Sequence, residues 1–182
     1  MSSVFSPNTL KELLDCIKLA CDKGDKFEIR GQGSKRSWGR PVQNCSVLDL
    51  SKLSGILFYE PRELVLSAIA GTPMKNITET LKDNNQYLAF EPPNLSSLYG
   101  EPDNHGTIGG VIATNLSGPR RLSVGAARDH LLGFEAVSGA GEYFKSGGRV
   151  VKNVTGFDLS KLLAGSFGTL AAMTSITVKV LP

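Results

Sequence analysis

"GGRVVKNVTGFDLSKLLAGSFGTL", residues 147–170, strings together a glycine pair, a β-branched run, an Asn-Val-Thr-Gly turn, an amphipathic half-helix and a second glycine-bounded turn. So much punctuation keeps long side chains off much of the backbone. Two readings follow: a set of loose turns, or main chain laid bare for a large ligand. The other glycine-rich segments of the chain bear on the choice.

The bulk properties set the frame. A chain of 182 residues with 41% apolar and 20% charged residues can bury a core of its own. A formal charge of +3 is too mild to indicate nucleic acid and suits an anionic ligand equally well. Cys16, Cys21 and Cys45 are odd in number and lack Cys-x-x-Cys spacing, so neither a disulfide framework nor a zinc site is expected. The N-terminus has no basic-then-apolar leader and no apolar run is long enough for a membrane span, which points to a cytoplasmic protein.

Element by element, the pattern alternates. Leu10, Leu13, Leu14, Ile17 and Cys21 recur at helical spacing over residues 9–22, with Thr9 and Glu12 set for a capping box and Gly24 for a stop. Short strands are expected at "KFEIR" and "SVLDLSKL", and a strand pair at "GILFYEPRELVLSAIAG". Thr72 and Pro73 are read as N-cap and first turn of a helix running to about Asn84, followed by a short strand at "QYLAF". Residues 91–107 form a proline-rich loop before a short helix at "GGVIATN". A hairpin at "LLGFEAVSGAGEYFKSGG", a helix at "DLSKLLAGS" and a strand at "TLAAMTSITVKVLP" complete the chain. A βαβ-like start followed by hairpin-connected strands indicates an α+β fold in two lobes.

Two further clusters join the opening one. In "RGQGSKRSWG", residues 30–39, alternate glycines let backbone N–H groups converge on an anion while Arg30, Lys35 and Arg36 add charge. It is neither a Rossmann fingerprint nor a P-loop, and a solvated basic turn is the competing reading. In "GTIGGVIATNLSGPRR", residues 106–121, Gly109 and Gly110 clear side chains where a helix begins, which would turn N–H groups toward a phosphate. Close packing of that helix on a strand is the alternative. Three such segments together suit an extended ligand such as a dinucleotide.

In this order the three clusters resemble the FAD-binding domain of the vanillyl-alcohol oxidase/p-cresol methylhydroxylase (PCMH-type) flavoprotein superfamily, over residues 10–182. Within it the wording is most similar to the FAD-binding E-type subunits of bacterial glycolate oxidases. The resemblance implies a PCMH-type fold, with a small βαβ-like lobe at about residues 1–54 and a larger, mainly antiparallel lobe at 55–182. FAD would lie between them. It further implies that Gly31, Gln32, Gly33, Ser34, Lys35 and Arg36 cradle the pyrophosphate, with Ser37 and Trp38 near the cofactor. Pro93 would lie on the approach to the flavin, and Thr107, Gly109, Gly110, Ala113, Ser117 and Gly118 would line the dinucleotide. Arg120 would approach the flavin's pyrimidine edge and Val154 the adenine. Ser34 stands where tethering relatives carry histidine, so noncovalent FAD is expected. Family enzymes continue into a cap domain, and the chain is expected to lack it, ending at "VKVLP".

The activity implied is oxidation of a 2-hydroxy acid, glycolate to glyoxylate, together with partner flavoprotein and iron–sulfur subunits that would bring any association with a membrane. Such a reaction needs a base and a carboxylate anchor besides the flavin. His105 and His130 are better read as a loop residue and a structural residue, so no catalytic residue is assigned. A catalytically inactive FAD-binding or electron-transfer module and a nucleic-acid-binding module remain as alternatives.

Overall fold

Thr9 opens the first helix as its spacing predicts. In the computed structural model, which describes residues 3–38, 40, 43–99, 106–148 and 157–182, α1 spans Leu10–Lys23. The Thr9 hydroxyl accepts the Glu12 amide at 3.1 Å, and Gly24 closes the C-terminus in a left-handed conformation. The capping box is displaced by one residue, because the Glu12 carboxylate takes the Asn8 amide at 2.8 Å.

Leu13 and Ile17 carry the apolar face of α1 into a core with Leu48, Leu50, Val137 and Ala172. Leu48 belongs to a small parallel sheet of β1 (Val4–Phe5), β2 (Phe27–Arg30) and β3 (Ser46–Asp49), in the order β1-β3-β2. β1 escaped the sequence reading because two residues carry no periodicity. Val137 and Ala172 come from the second sheet, so this core joins the two layers.

The second sheet contains β4 (Ile56–Glu60), β5 (Val65–Ile69), β6 (Leu131–Ser138), β7 (Tyr143–Gly147) and β8 (Ala171–Lys179). All its pairings are antiparallel, in the order β4-β5-β8-β6-β7. The last strand in sequence is central, which explains its apolar run. One face of the sheet packs on α2 (Met74–Lys82), α3 (Ile108–Ala113), α5 (Ala127–His130) and α6 (Leu159–Leu163) through a core that includes Leu66, Ile77, Ile112, Phe134 and Ile176. A single turn of helix, α4 (Arg121–Val124), precedes α5. The architecture is α+β, a small parallel sheet beside a larger antiparallel one with its helices.

Three local expectations change. Residues 86–90 form no strand, and only Tyr87 pairs, with Leu181. The short helix begins one residue before "GGVIATN", because Thr107 caps it. Thr72 is not a helix cap: Pro73 holds that position, and the buried Thr72 hydroxyl turns back to the sheet. There it accepts the Gly55 amide at 2.8 Å, while its proton lies between the carbonyls of Ile69 (2.6 Å) and Gly55 (3.0 Å). Burial decides this, since a hydroxyl away from water must be paired on the spot. Thr72→Val keeps the shape but leaves the Gly55 amide without its acceptor. Urea unfolding should show a loss of about 1–3 kcal/mol.

Candidate cofactor site

The first glycine loop leaves the carboxyl end of β2, the end at which parallel strands present ligand-binding loops. Two turns shape it, Arg36 N–H to Gly33 O and Trp38 N–H to Lys35 O, each at 3.1 Å. The amides of Gly33, Ser34, Lys35 and Ser37 then donate to no acceptor among the described residues. With Gly33 at a φ of +77°, these neighbouring N–H groups make an anion nest.

The loop's charges are not equivalent. Arg36 is held by Glu28 through contacts of 2.7 and 3.2 Å, and Arg30 meets Asp49 at 3.4 Å. Burial works to raise the Asp49 carboxyl, but hydrogen bonds from Ser51 and the Arg30 guanidinium outweigh it and hold its pKa low. Lys35 has no carboxylate partner among the described residues; its ammonium donates only to Ser34 Oγ, at 3.1 Å. Burial pushes its pKa below 10.5. A half-buried, uncompensated cation beside free amides is a site for an anion.

The second loop works differently. The N–H groups of Ile108 and Gly109 go to Thr72 O (3.0 Å) and Ala70 O (2.8 Å), and that of Gly110 to Thr107 Oγ1 (3.2 Å). The expectation that this helix start turns free N–H groups to a phosphate is therefore corrected, because the protein itself consumes them. What this segment offers is a bare wall. A Cβ on Gly110 would find only Thr107 Oγ1 at 3.5 Å and Lys35 Nζ at 3.7 Å, so packing leaves space there. Gly31, by contrast, is bare because Thr107 Oγ1 would lie 2.5 Å from any Cβ it carried.

The turn after α6 completes the enclosure. Gly165 N–H donates to Ile112 O at 3.1 Å and Phe167 N–H to Ala113 O at 2.8 Å, docking this turn on the C-terminal end of α3. Between these segments lies a cleft of about 480 Å³. Gly31, Gln32, Gly33, Ser34, Lys35, Arg36, Ser37 and Trp38 line it together with Thr107, Gly110 and Ala113. A smaller adjoining cavity of about 70 Å³ reaches Gly109. The Trp38 indole N–H, buried among these residues, has no acceptor among the described residues.

The remaining candidates sit elsewhere. Ser117 Oγ accepts the Ala127 amide at 2.9 Å, and Gly118 N–H donates to Phe90 O at 2.8 Å. Arg120 binds Glu91 at 3.3 Å and Tyr87 Oη at 3.0 Å. These three and Pro93 are outside the cleft lining, while Val154 and His105 lie outside the described residues. His130 is structural: it is buried, its Nε2 is 2.9 Å from Val124 O, and its ring packs on Phe90. The sequence reading missed Glu28, Ile29, Arg40, Thr114, Phe167 and Thr169 as lining residues. Only the Gly165–Gly168 bracket around Phe167 offered a sequence signal. The nucleic-acid reading is weakened, since two of its four cations, Arg30 and Arg36, are paired internally, while Lys35 and Arg40 line the cleft.

Residues 1–147 match the family described as "FAD binding domain". The chain belongs to that family. It is 42% identical over 170 residues to glycolate oxidase subunit GlcE of Escherichia coli, covering 93% of this chain and 46% of that protein. It is 31% identical over 181 residues to a D-lactate dehydrogenase of Archaeoglobus fulgidus, covering 98% of this chain and 38% of that one. The chain thus spans less than half the length of these relatives. An alkyldihydroxyacetonephosphate synthase structure shares the fold, with a TM-score of 0.76 at 22% identity, over 98% of this chain and 31% of its own. The cofactor is FAD. The residues fit it: free amides and Lys35 suit a pyrophosphate, and the wall at Gly110 leaves room for a bulky ligand.

Lys35→Met should leave the cofactor-free domain at least as stable in a thermal melt, because it removes a desolvated charge. The same variant should bind FAD about tenfold more weakly by titration calorimetry, the loss of one charge-assisted contact. In the unaltered protein, FAD affinity should fall as pH rises through the lowered Lys35 pKa, while Lys35→Arg should hold its affinity there.

Proposed function

We propose that the chain is the FAD-holding portion of an oxidoreductase that acts on a 2-hydroxy acid, with glycolate oxidised to glyoxylate. Partner flavoprotein and iron–sulfur subunits would share the work. The observation that carries the reading is the cleft whose lining joins Lys35 and the unpaired amides of Gly33, Ser34, Lys35 and Ser37 to the bare surface of Gly110. The similarity to a glycolate oxidase subunit and to a D-lactate dehydrogenase supports the substrate class, both substrates being 2-hydroxy acids.

FAD, once bound, supplies the two-electron acceptor. This chain's residues bind and orient. The amides of Gly33, Ser34, Lys35 and Ser37 take the pyrophosphate oxygens, and the Lys35 ammonium offsets their charge. Thr107 and Gly31 set the spacing between the two loops, and Ala113 with Gly110 leaves the wall smooth. The remaining proposed contacts, at Pro93, Ser117, Gly118, Arg120 and Val154, would border the cofactor beyond the cleft. Ser34 is buried and its Oγ accepts from Lys35, which favours noncovalent binding.

One observation favours a second reading, an FAD-binding or electron-transfer module with no turnover of its own. Among the described residues, no histidine lines the cleft, and its one carboxylate, Glu28, is tied to Arg36. The base for the substrate hydroxyl would then come from another part of the complex. Oxidation of glycolate by the chain plus its partner subunits, lost when the chain is omitted, supports the first reading; electron transfer without a substrate requirement for this chain supports the second.

The cofactor step has its own test. The protein mixed with FAD should take on a flavin spectrum and gain about 2.7 kcal/mol of stability at a hundredfold excess over Kd. Acid precipitation should release the flavin intact. Gly110→Val should abolish the spectrum while the fold survives, since a Cβ there meets only ordinary contacts but a branched side chain enters the cleft.

A further inference from the structure

Phe167 is out of place on three counts. It is 59% exposed, although an aromatic ring gains most from burial. Its backbone lies at a φ of +55°, a region in which a bulky residue is an outlier. In the same turn Gly165 (φ +87°) and Gly168 (φ +73°) meet the left-handed requirement with glycine, but at the intervening left-handed position the chain keeps phenylalanine.

The conformation is enforced from outside. Phe167 N–H is tied to Ala113 O at 2.8 Å, and two residues earlier Gly165 N–H is tied to Ile112 O at 3.1 Å. The side chain thus projects from an anchored backbone, and Phe167 lines both the cleft shared with Lys35 and the smaller cavity beyond it. Strain maintained by surrounding contacts at the lip of a binding cleft is a feature of ligand clamps. Aromatic faces stack on planar heteroaromatic rings.

We propose that Phe167 is the stacking platform for a heteroaromatic ring of the dinucleotide whose pyrophosphate the Lys35 loop holds. The proposal rests on the FAD reading above. Both the adenine and the isoalloxazine have the required planar chemistry, and the fragments ADP and FMN tell them apart.

The experiment compares the unaltered protein with Phe167→Tyr, Phe167→Asn and Phe167→Ala, measuring FAD affinity by titration and stability by thermal melting. Asn tolerates the left-handed region, so Phe167→Asn should fold and melt no lower than the parent. Its FAD affinity, and that of Phe167→Ala, should drop about tenfold, as loss of a base–aromatic stack does. Phe167→Tyr should match the parent. ADP and FMN titrated separately should divide, with Phe167→Asn weakening only the fragment that carries the stacked ring. The proposal is overturned if Phe167→Asn and Phe167→Ala keep parental FAD affinity, or if Phe167→Tyr loses as much as they do. A parent protein that binds no FAD would overturn the cofactor reading itself, a result distinct from either of these.

Discussion

The contact between Thr107 and Gly31 is the constraint on which the site depends. Thr107 caps α3 through the Gly110 amide, and the same hydroxyl fills the space that a side chain on residue 31 would need. The first loop can therefore approach the second only as bare main chain. At its other end α3 offers the carbonyls of Ile112 and Ala113 to the Gly165 and Phe167 amides. Six helical residues thus fix two of the glycine-bearing segments and bear directly on the third. A helix this short has little stability of its own, so it relies on the buried packing of Ile108, Val111 and Ile112.

The two loops divide the labour of binding. The second uses its amides to fasten α3 to Ala70 and Thr72, and so contributes shape. The first leaves its amides unpaired and contributes charge. Internal ion pairs sharpen that division: Glu28 and Asp49 hold Arg36 and Arg30, and Lys35 is left as the half-buried cation at the nest, with the exposed Arg40 farther out on the cleft lining. The partly desolvated Lys35 ammonium attracts an anion more strongly than a fully solvated cation would, because charges interact more strongly away from water.

Much of this could be read from residue order alone. Capping chemistry placed α1, and the β-branched runs placed most of the strands, including the central β8. The glycine clusters marked three segments for one ligand, and the cleft gathers most of the residues those clusters named. The failures share a cause. Thr72 looks like a cap because Thr-Pro usually precedes a helix, yet a buried hydroxyl answers to the polar groups the fold sets beside it, which here are the Gly55 amide and the Ile69 carbonyl. Gly109 and Gly110 look like a phosphate-binding helix start, yet whether an amide is free depends on which carbonyl the fold brings to it.

Local pattern therefore determined most of the elements, the α+β class and the presence of bare-backbone segments, because caps, periodicity and glycine act over a few neighbouring residues. Tertiary structure alone decided which amides stayed free, which arginines were neutralised and that Phe167 should stand at the lip of the cleft. Each of those outcomes depends on a partner far away in sequence: Asp49 for Arg30, Ala70 for Gly109, Ala113 for Phe167. A hydrogen bond or ion pair between distant residues exists only once the chain has folded to bring them within reach.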